Sequence, residues 1–261
     1  MTLKILSYNI RFGGQNRAGK IAEVVNFVSP DIVVFQEAYR PSVIEQIALE
    51  TKMNVWGARE AHSIAFASRI EIANYQWHYP PNSTHSFLEI VLADNHTRIF
   101  GLHLKPRFSK WSERQRAREI RALLEGIKQY EEGFHILVGD FNTLAPGERF
   151  NLPKMPLWIR ALIWISGRDI KRETVQILLD TGYIDGFRTL YPNDIGHTFP
   201  VWDPHVRLDY FFLPNKYAQQ LESIEIIKQP PIVKTASDHY PLLAEISCDF
   251  NAASLHEVRT S

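Results

Sequence analysis

The chain contains 261 residues, enough for one large domain or two small ones and for a sizeable buried core. Its 29 basic and 29 acidic side chains cancel, which excludes the generally basic surface of a non-specific nucleic-acid binder. Hydrophobic residues make up 45% and charged residues 22%, so the composition is globular, neither disordered nor fibrous. A single cysteine, Cys248, cannot form an internal disulfide, and we expect a reducing, cytoplasmic setting.

No segment has the composition of a membrane anchor. Residues 1–14 contain neither a long apolar stretch nor a small-residue cleavage site, so we expect no signal peptide. The longest apolar run, residues 155–165, is too short to cross a bilayer and contains Arg160. The sequence therefore predicts no transmembrane segment and leaves contact with a membrane surface open.

The predicted elements, in chain order, are those of an α/β protein. An alternating strand over residues 3–9 precedes a helix around 21–28 and an apolar strand over 32–35. There follow a helix at 41–51, strands at 63–68, 70–78, 86–93 and 98–104, a helix at 109–130, a strand at 135–142, a helix at 173–180, and strands at 206–213, 223–228 and 240–247. Because no repeat or linker interrupts this order, we expect one domain over residues 1–250 and a polar tail over 251–261.

Several predicted strands end in a side chain that can carry chemistry. These residues are Asn9, Glu37, His103, Asp140 with Asn142, Asp209, and Asp238 with His239. Strand ends hold such groups rigidly, while the adjoining loops leave them open to a substrate. Oxygen donors dominate the set and no cysteine belongs to it, which favours a hard cation such as Mg²⁺ or Mn²⁺ over zinc. Phosphate chemistry is the usual role of such a cation.

Taken singly, most of these residues also have an ordinary structural explanation. Asn9 is typical of a turn, Glu37 of a helix cap or solvated edge, and His103 of a structural hydrogen-bonding histidine. The segment around Asp140 is equally compatible with a simple turn. Asp209 is harder to explain in this way, because a carboxylate inside an apolar strand needs a partner to offset its desolvation.

Six short motifs occur in order along nearly the whole chain. They are SYNIR (7–11), FQE (35–37), GLHL (101–104), VGDFN (138–142), RLDYFF (207–212) and SDHYP (237–241). In this combination the chain resembles the endonuclease/exonuclease/phosphatase superfamily, the metal-dependent phosphodiesterases and phosphatases related to pancreatic deoxyribonuclease. The resemblance implies a four-layer α/β sandwich, in which two packed and mainly antiparallel β-sheets are flanked by helices on both outer faces.

The resemblance also implies roles at the metal site and at the phosphate. Glu37 resembles the principal metal ligand, with Asn9 and Asp238 helping to shape the site. His239 resembles the histidine that contacts the scissile phosphate, and Asp209 would orient its ring.

Three further residues match motif positions with a role in the attack on phosphorus. Either Asp140 or His239 is the candidate general base. Asn142 would donate to a phosphoryl oxygen or align Asp140. His103 matches the histidine that binds phosphate or protonates the leaving oxygen in deoxyribonuclease-like members. Together these roles imply in-line attack by water.

Basic and aromatic residues near the motifs are candidates for substrate contact. Lys105 and Arg107 follow His103 in a stretch, residues 105–121, with seven basic and two acidic side chains. Such residues either face an anionic substrate or form a solvated helix face with Glu–Arg pairs. Trp202 lies close to Asp209 in sequence and could stack on a base or line a leaving-group pocket.

Residues 152–170 form an apolar segment with two explanations. A helix that is apolar on all sides is usually buried against its own protein. Alternatively, the segment is a lid or an interfacial helix in peripheral contact with a membrane, with basic residues such as Lys154 and Arg160 near anionic headgroups.

The sequence therefore predicts a Mg²⁺- or Mn²⁺-dependent hydrolase of a phosphate ester, either a phosphodiesterase or a phosphatase. A DNA or abasic-site endo- or exonuclease is one alternative, and the substrate is accordingly lipid-like or nucleic acid. An alternative of another class is a non-catalytic phosphate-binding scaffold, which is disfavoured because the metal, orienting and histidine positions are all filled. The oligomeric state does not follow from the sequence.

Overall fold

A computed structural model describes residues 2–248, apart from residues 82, 84, 95, 96, 149, 150, 156 and 166–169. The side chains at positions 152, 158, 159, 162 and 163 also lie outside the description. The expected tail, residues 251–261, falls beyond the described part. Among the described helices, none has the length and apolar character needed to cross a membrane.

Within the described residues, twelve strands form two six-stranded sheets. In spatial order the first sheet contains β11 (Leu221–Ile226), β12 (Leu242–Ser247), β1 (Thr2–Asn9), β2 (Ile32–Gln36), β4 (Ile64–Ser68) and β3 (Val55–Gly57). The second contains β5 (Ile72–His78), β6 (Phe87–Leu92), β7 (Arg98–His103), β8 (His135–Asp140), β10 (Asp209–Pro214) and β9 (Tyr183–Asp185). The pairs β1–β2 and β7–β8 are parallel and the other described pairs are antiparallel, which confirms two mainly antiparallel sheets.

Helices cover the outer face of each sheet. The described helices are α1 (Ala18–Val28), α2 (Pro41–Thr51), α3 (Lys110–Ile127), α4 (Leu157–Ile165), α5 (Glu173–Asp180), α6 (Gly186–Leu190) and α7 (Val233–Ala236). Ile21 of α1 and Ile44 of α2 belong to the apolar cluster on the first sheet. Ile120 of α3 and Leu178 of α5 belong to the cluster on the second sheet. The predicted four-layer sandwich is therefore confirmed.

The gap between the two sheets is lined by every second residue of the strands. Leu3 and Ile5 of β1 meet Ile136 and Val138 of β8 in one apolar cluster. Leu6, which lies between these positions on β1, belongs instead to the helix-covered outer face. This is the alternation that strand geometry requires when both faces of a sheet are buried.

Continuing the same alternation to the strand ends places polar side chains at one end of the gap. Asn9 occupies this position on β1, His103 on β7, Asp140 on β8 and Asp209 on β10. Asp209 pairs with Asp140 in the antiparallel register, and His103 pairs with Asp140 in the parallel one. The predicted strand-end residues thus meet where the apolar core stops.

The predicted and observed elements differ mainly in short segments. The strands expected from residues 206 and 240 begin at Asp209 and Leu242, and the residues before them form loops. The sequence analysis missed β3, β9, α6 and α7, because elements of three to five residues are too short to show a period. The last turn of the predicted 109–130 helix is a separate 3₁₀ helix that follows α3.

Gly139 allows the close approach of β7 and β8 next to Asp140. Its φ is +145°, a backbone conformation that L residues with side chains rarely adopt. A Cβ at this position would lie 1.9 Å from the carbonyl oxygen of Leu102 on β7. The glycine in the VGDFN motif is therefore required by the backbone that supports Asp140.

We expect Gly139→Ala to lower the free energy of unfolding by on the order of 3 kcal/mol, through backbone strain and overpacking. Urea denaturation measures this. Gly126→Ala is the matched control, since Gly126 lies on α3 with open space around it. That variant should be neutral or more stable by up to about 1 kcal/mol. Wild-type stability in Gly139→Ala would contradict this explanation.

A buried ion network fixes the chain just before Asp209. The fully buried Arg207 donates from Nη1 to Asp185 Oδ1 at 2.8 Å and from Nε to Glu148 Oε1 at 3.2 Å. Glu148 Oε1 also accepts from Arg188 Nη2 at 2.6 Å. Burial raises the pKa of Glu148, but the two guanidinium groups outweigh burial and lower this pKa overall.

Arg207→Leu should lower the free energy of unfolding by about 3 to 5 kcal/mol at neutral pH, because two carboxylates would stay buried without compensation. A carboxylate whose pKa is lowered by folding adds stability above its unfolded pKa and loses it as the pH falls through the folded pKa. The difference between wild type and variant should therefore shrink below about pH 4. Urea denaturation at neutral and acidic pH measures both effects.

Arg121→Met is the control, because Arg121 and Glu173 form an exposed ion pair at 2.8 Å. Exposed pairs contribute at most about 1 kcal/mol. An Arg207→Leu variant no less stable than Arg121→Met would show that the buried network does not stabilise the fold.

Candidate active site

Asn9 links the two sheets at the polar end of the gap. Its Nδ2 donates to Asp140 Oδ2 at 3.0 Å and to Glu37 Oε1 at 3.3 Å. Its Oδ1 accepts the backbone N–H of Arg11 at 2.9 Å, which sets the orientation of the amide. Asn9 ends β1 in the first sheet and Asp140 ends β8 in the second, so one amide group brings two carboxylates from different segments together.

Glu37 lies directly after β2 and is held by the loop that follows β1. Its φ of +56° is left-handed, so the chain turns sharply at the end of the strand. The side chain is half-buried, and its Oε2 accepts the backbone N–H of Phe12 at 2.6 Å. The backbone N–H of Gly13 donates to the Glu37 carbonyl oxygen at 2.8 Å. The Phe12 N–H thus orients the carboxylate of Glu37, and the Gly13 N–H fixes its backbone.

Asn142 orients the Asp140 carboxylate. The backbone N–H of Asn142 donates to Asp140 Oδ1 at 2.8 Å, and its Nδ2 donates to Oδ2 at 3.1 Å. The same Nδ2 donates to the Leu104 carbonyl oxygen at 2.9 Å, which ties the loop after β8 to the loop after β7. The GDFN motif therefore supplies both the Asp140 carboxylate and the Asn142 donors that orient it.

Burial raises the pKa of Asp140 to about 7. The charge of His239 opposes this shift, and the neighbouring Asp209 carboxylate reinforces it. A buried carboxylate of this kind stays ionised only when cations or donors compensate its desolvation. The side chains around Asp140 supply that compensation.

His239 and Asp209 form a buried pair beside Asp140. His239 Nδ1 lies 2.9 Å from Asp209 Oδ2, and its Nε2 lies 3.9 Å from Asp140 Oδ2. Burial lowers the pKa of His239, but Asp209 and then Asp140 and Asp238 outweigh burial and raise this pKa to about 10. The partner that the sequence required for Asp209 is therefore His239. The ring of Phe199, 4.7 Å away between centroids, packs against the imidazole.

His103 lies on the other side of Asp140. Its Nε2 is 3.9 Å from Asp140 Oδ2, the same distance as that of His239. Burial, with His85 and His239 nearby, lowers the pKa of His103 to about 3, so the ring is neutral. Its buried Nδ1 finds no hydrogen-bond partner within the described part of the chain. Two imidazoles whose pKa values are shifted in opposite directions thus flank one carboxylate.

Asp238 is positioned by the segment that precedes β12. Ser237 Oγ donates to the Asn9 carbonyl oxygen at 2.6 Å, which anchors this segment beside the end of β1. Asp238 Oδ2 lies 3.4 Å from Arg11 Nε. The SDH motif therefore brings Asp238 to the Asn9 side of the site and His239 to the Asp209 side.

The donors on the Asn9 side suit a hard divalent cation. Glu37, Asp140 and Asp238 offer carboxylate oxygens, the donors that Mg²⁺ and Mn²⁺ prefer. The side-chain oxygen of Asn9, Oδ1, has two lone pairs and can bind a cation while it accepts the Arg11 N–H. A cation here would also offset the buried charge of Asp140, so these residues fit a divalent metal.

Among the described residues, the group of three His, Cys, Asp or Glu side chains whose possible ligand atoms lie within 4.8 Å of one another is Asp140, Asp209 and His239, and neither Glu37 nor Asp238 belongs to it. Asp209 and His239 are, however, hydrogen-bonded to each other at 2.9 Å. His239 Nδ1 and Asp209 Oδ2 are therefore already bonded to each other. We therefore interpret the group as a hydrogen-bonded cluster and not as a set of metal ligands.

The candidate substrate contacts lie at different distances from this centre. Lys105 is half-buried and donates from Nζ to Gln115 Oε1 at 2.6 Å, so it faces helix α3. Arg107 is exposed in the loop after β7. Trp202 is exposed, and its ring lies 6.4 Å from that of Phe199, the residue that packs on His239. Trp202 and Arg107 are accessible, whereas Lys105 is committed to a contact within the protein.

Sequence reasoning missed a buried ion pair below the loop that follows His103. Arg116 belongs to the basic stretch that was expected either to face an anionic substrate or to form a solvated helix face with Glu–Arg pairs, but it is buried, and its Nη2 lies 2.7 Å from Glu113 Oε2. Its Nη1 also donates to the carbonyl oxygens of Lys105 and Arg107. The signal was present: residues 113, 116, 120, 123 and 127 follow helical spacing, so the apolar stripe of α3 continues into this pair.

The chain matches the model of the Endonuclease/Exonuclease/phosphatase family over residues 6–239. No curated protein matches it. Among solved structures it is similar to the 3′-5′ exonuclease (NExo) of Neisseria meningitidis, with 18% identity and a TM-score of 0.70, covering 94% of this chain and 100% of that one. An AP endonuclease from Archaeoglobus fulgidus gives 17% identity and a TM-score of 0.69, covering 93% and 98%.

A further similar structure is D. rerio TDP2 complexed with single-strand DNA product, at 16% identity and a TM-score of 0.65, covering 94% of this chain and 99% of that one. At these identities the structural likeness establishes the fold, and the family model covers all six motifs up to His239. The chain therefore belongs to the Endonuclease/Exonuclease/phosphatase family and is a divalent-metal-dependent hydrolase of phosphate esters.

Proposed function

We propose that this chain hydrolyses a phosphate mono- or diester by in-line attack of water at the site around Asp140. The observation that carries the proposal is that Asp140 Oδ2 lies 3.9 Å from both His239 Nε2 and His103 Nε2. The same oxygen accepts hydrogen bonds from Asn9 Nδ2 at 3.0 Å and from Asn142 Nδ2 at 3.1 Å. A carboxylate surrounded by groups that can contact a phosphate or a water molecule is suited to general acid–base work.

The contacts of each side chain suggest a division of roles. Asp209 engages His239 Nδ1, so Nε2 is the nitrogen directed to the scissile phosphate. Asp140 is our candidate to position and deprotonate the attacking water, with Asn142 aligning it. His103, on the opposite side of Asp140, is our candidate to bind the phosphate; its lowered pKa disfavours the other role proposed for it, protonation of the leaving oxygen.

We propose that Mg²⁺ or Mn²⁺ is the resident metal, held by Glu37 with Asn9 and Asp238. When bound, such an ion neutralises phosphate charge and lowers the barrier to attack. The loop after β1 orients the Glu37 carboxylate through the Phe12 N–H at 2.6 Å, and Asn9 contacts its other oxygen. The principal ligand is therefore preorganised in the protein.

Nucleic acid and lipid-like phosphoesters remain the two proposed substrate classes. Similar structures include a 3′ phosphatase from Neisseria bound to a product DNA hairpin and a D. rerio TDP2 with single-strand DNA product. For a nucleic-acid substrate the proposed contacts are the accessible Arg107 and Trp202, with Lys105 contributing only if it leaves Gln115. Peripheral membrane contact through residues 152–170 is the corresponding proposal for a lipid substrate.

A substrate panel tests the proposal. Bis-p-nitrophenyl phosphate, an abasic-site duplex, sphingomyelin vesicles and inositol phosphates are each assayed with Mg²⁺ and with Mn²⁺. We expect hydrolysis of at least one substrate, and its loss on addition of EDTA. Absence of hydrolysis throughout the panel would contradict the proposed reaction.

We also propose that residues 1–250 form a single catalytic domain followed by a tail, and that the protein works in the cytoplasm. The compartment rests on Cys248 as the sole cysteine of the sequence. Magnesium and cytoplasmic location are thus proposals from chemistry and composition.

Removal of the metal ligand or of the phosphate-contacting imidazole should abolish most of the activity. Glu37→Gln and His239→Ala should each lower kcat on bis-p-nitrophenyl phosphate by at least about a hundredfold, the usual scale for loss of an acid–base group or metal ligand. Steady-state kinetics with Mg²⁺ and with Mn²⁺ measures the effect.

Glu125→Gln is the control for Glu37→Gln, because Glu125 is exposed on α3. It should retain wild-type kcat, and circular dichroism should show that all three variants are folded. Wild-type turnover in a folded Glu37→Gln or His239→Ala protein would exclude the corresponding role.

A further inference from the structure

Large apolar side chains are exposed on several segments that surround the polar end of the gap. Phe12 follows β1, Trp111 begins the helix after β7, and Trp202 lies in the loop before β10. Helix α4, which follows β8, adds Leu157, Trp164 and Ile165. Each of these six side chains is at least 63% exposed. We call this set the active-site rim.

Contacts beneath the rim join its segments into one surface. Met155 and Ile170, on either side of α4, pack in an apolar cluster with Val206 and Leu208 near the start of β10. Phe108, from the loop after β7, and Phe199, which packs on His239, lie against the same cluster. Lys154 also pairs with Asp203 at 2.5 Å, which ties the chain before α4 to the loop of Trp202. Helix α4 is thus anchored beside the mouth of the site.

The described side chains of α4 are exposed, contrary to the usual fate of a helix that is apolar on all sides. Leu157, Ala161 and Trp164 recur at helical spacing, and Arg160 and Ile165 extend the same face. Four of these five side chains are apolar. Trp158, whose side chain lies outside the description, adds nothing to this argument. The exposed face has the composition of an interfacial helix.

The charge around this surface is positive. The described residues between positions 151 and 172 include Lys154, Arg160, Lys171 and Arg172 and no acidic residue. Residues 104–112, which lead to Trp111, contain three basic residues and no acidic one. In a chain whose total formal charge is zero, this excess is local to the mouth of the site. It complements an anionic partner.

The combination of aromatic, aliphatic and basic side chains in the active-site rim distinguishes between anionic partners. Tryptophan and arginine suit both nucleic acids and lipid headgroups. Leu157 and Ile165 have no π-face on which a base could stack, and gain from contact only when they enter an apolar phase. An anionic bilayer offers both the charge and the apolar phase at one surface.

We propose that the active-site rim docks on anionic lipid bilayers and turns the mouth of the site toward the membrane. The substrate is then a phosphoester presented at the lipid surface, a part of the inference that rests on the proposed function. Helix α4 lies in the interface, since its nine residues are too few to span a bilayer.

Vesicle co-sedimentation of the full chain tests docking independently of catalysis. Vesicles of phosphatidylcholine alone are compared with vesicles containing phosphatidylglycerol. We expect binding to be at least about tenfold stronger to the anionic vesicles. Leu157→Ser/Ile165→Ser should weaken that binding at least about tenfold. The matched control is Phe27→Ser/Leu49→Ser, which removes two exposed apolar side chains from α1 and α2 and should bind like wild type.

Hydrolysis of bis-p-nitrophenyl phosphate in solution should be the same in both double variants and wild type. Turnover of a lipid phosphoester in anionic vesicles should fall only in Leu157→Ser/Ile165→Ser. Failure of wild type to bind anionic vesicles would overturn the docking proposal. Loss of all hydrolysis with vesicle binding intact would overturn the proposed function and leave docking supported.

Two other occupants of the rim have distinct outcomes. If Leu157→Ser/Ile165→Ser weakened binding to single-stranded DNA and left vesicle binding unchanged, the rim would be a nucleic-acid surface and the proposal would be wrong. If analytical ultracentrifugation showed a dimer that this variant dissociates, the rim would be an interface between two copies, and the proposal would again be overturned.

Discussion

The Asn9 amide donates hydrogen bonds to Glu37, on its own sheet, and to Asp140, on the other sheet, at the end of a gap that is filled mainly by apolar side chains. They form where the alternation of the strands changes from apolar to polar side chains at one end of the gap. Apolar packing is non-directional and would tolerate small shifts of one sheet on the other. An amide between two acidic groups sets a defined separation, and the positions of the Glu37 and Asp140 carboxylates, the proposed metal ligand and the proposed base, depend on it.

Buried charged side chains outside the site also fix the positions of the loops around it. Glu113 pairs with Arg116 and also accepts from Thr143 Oγ1 at 2.8 Å and from the Thr174 N–H at 2.8 Å. It thereby connects the loops after β7 and β8 to the start of α5. Buried ion pairs contribute little net stability, because desolvation offsets their attraction. Their value here is geometric: they fix the loops that carry Asn142 and Arg107.

The proposed reacting groups and the proposed docking surface lie at different depths in the protein. Asp140, Asp209, His103 and His239 are buried at the strand ends, where neighbouring strands restrict their motion. The rim residues lie on loops and on α4, outside the sheets. A rigid interior with an adaptable mouth allows substrate preference to change without disturbing the reacting groups. Positive charge concentrated at the mouth is compatible with a neutral chain because acidic groups predominate elsewhere.

The sequence by itself determined the order of the main elements, the inward face of the strands and the polar residues at their ends. The alternation of β1 already placed Asn9 on the same face as Leu3 and Ile5, because side-chain direction in a strand follows from local backbone geometry. Only the tertiary structure decided that Asn9 meets Asp140, that Arg116 is buried and that the described side chains of α4 are exposed. These outcomes depend on which distant segment faces each element, and periodicity within one element does not encode its neighbours.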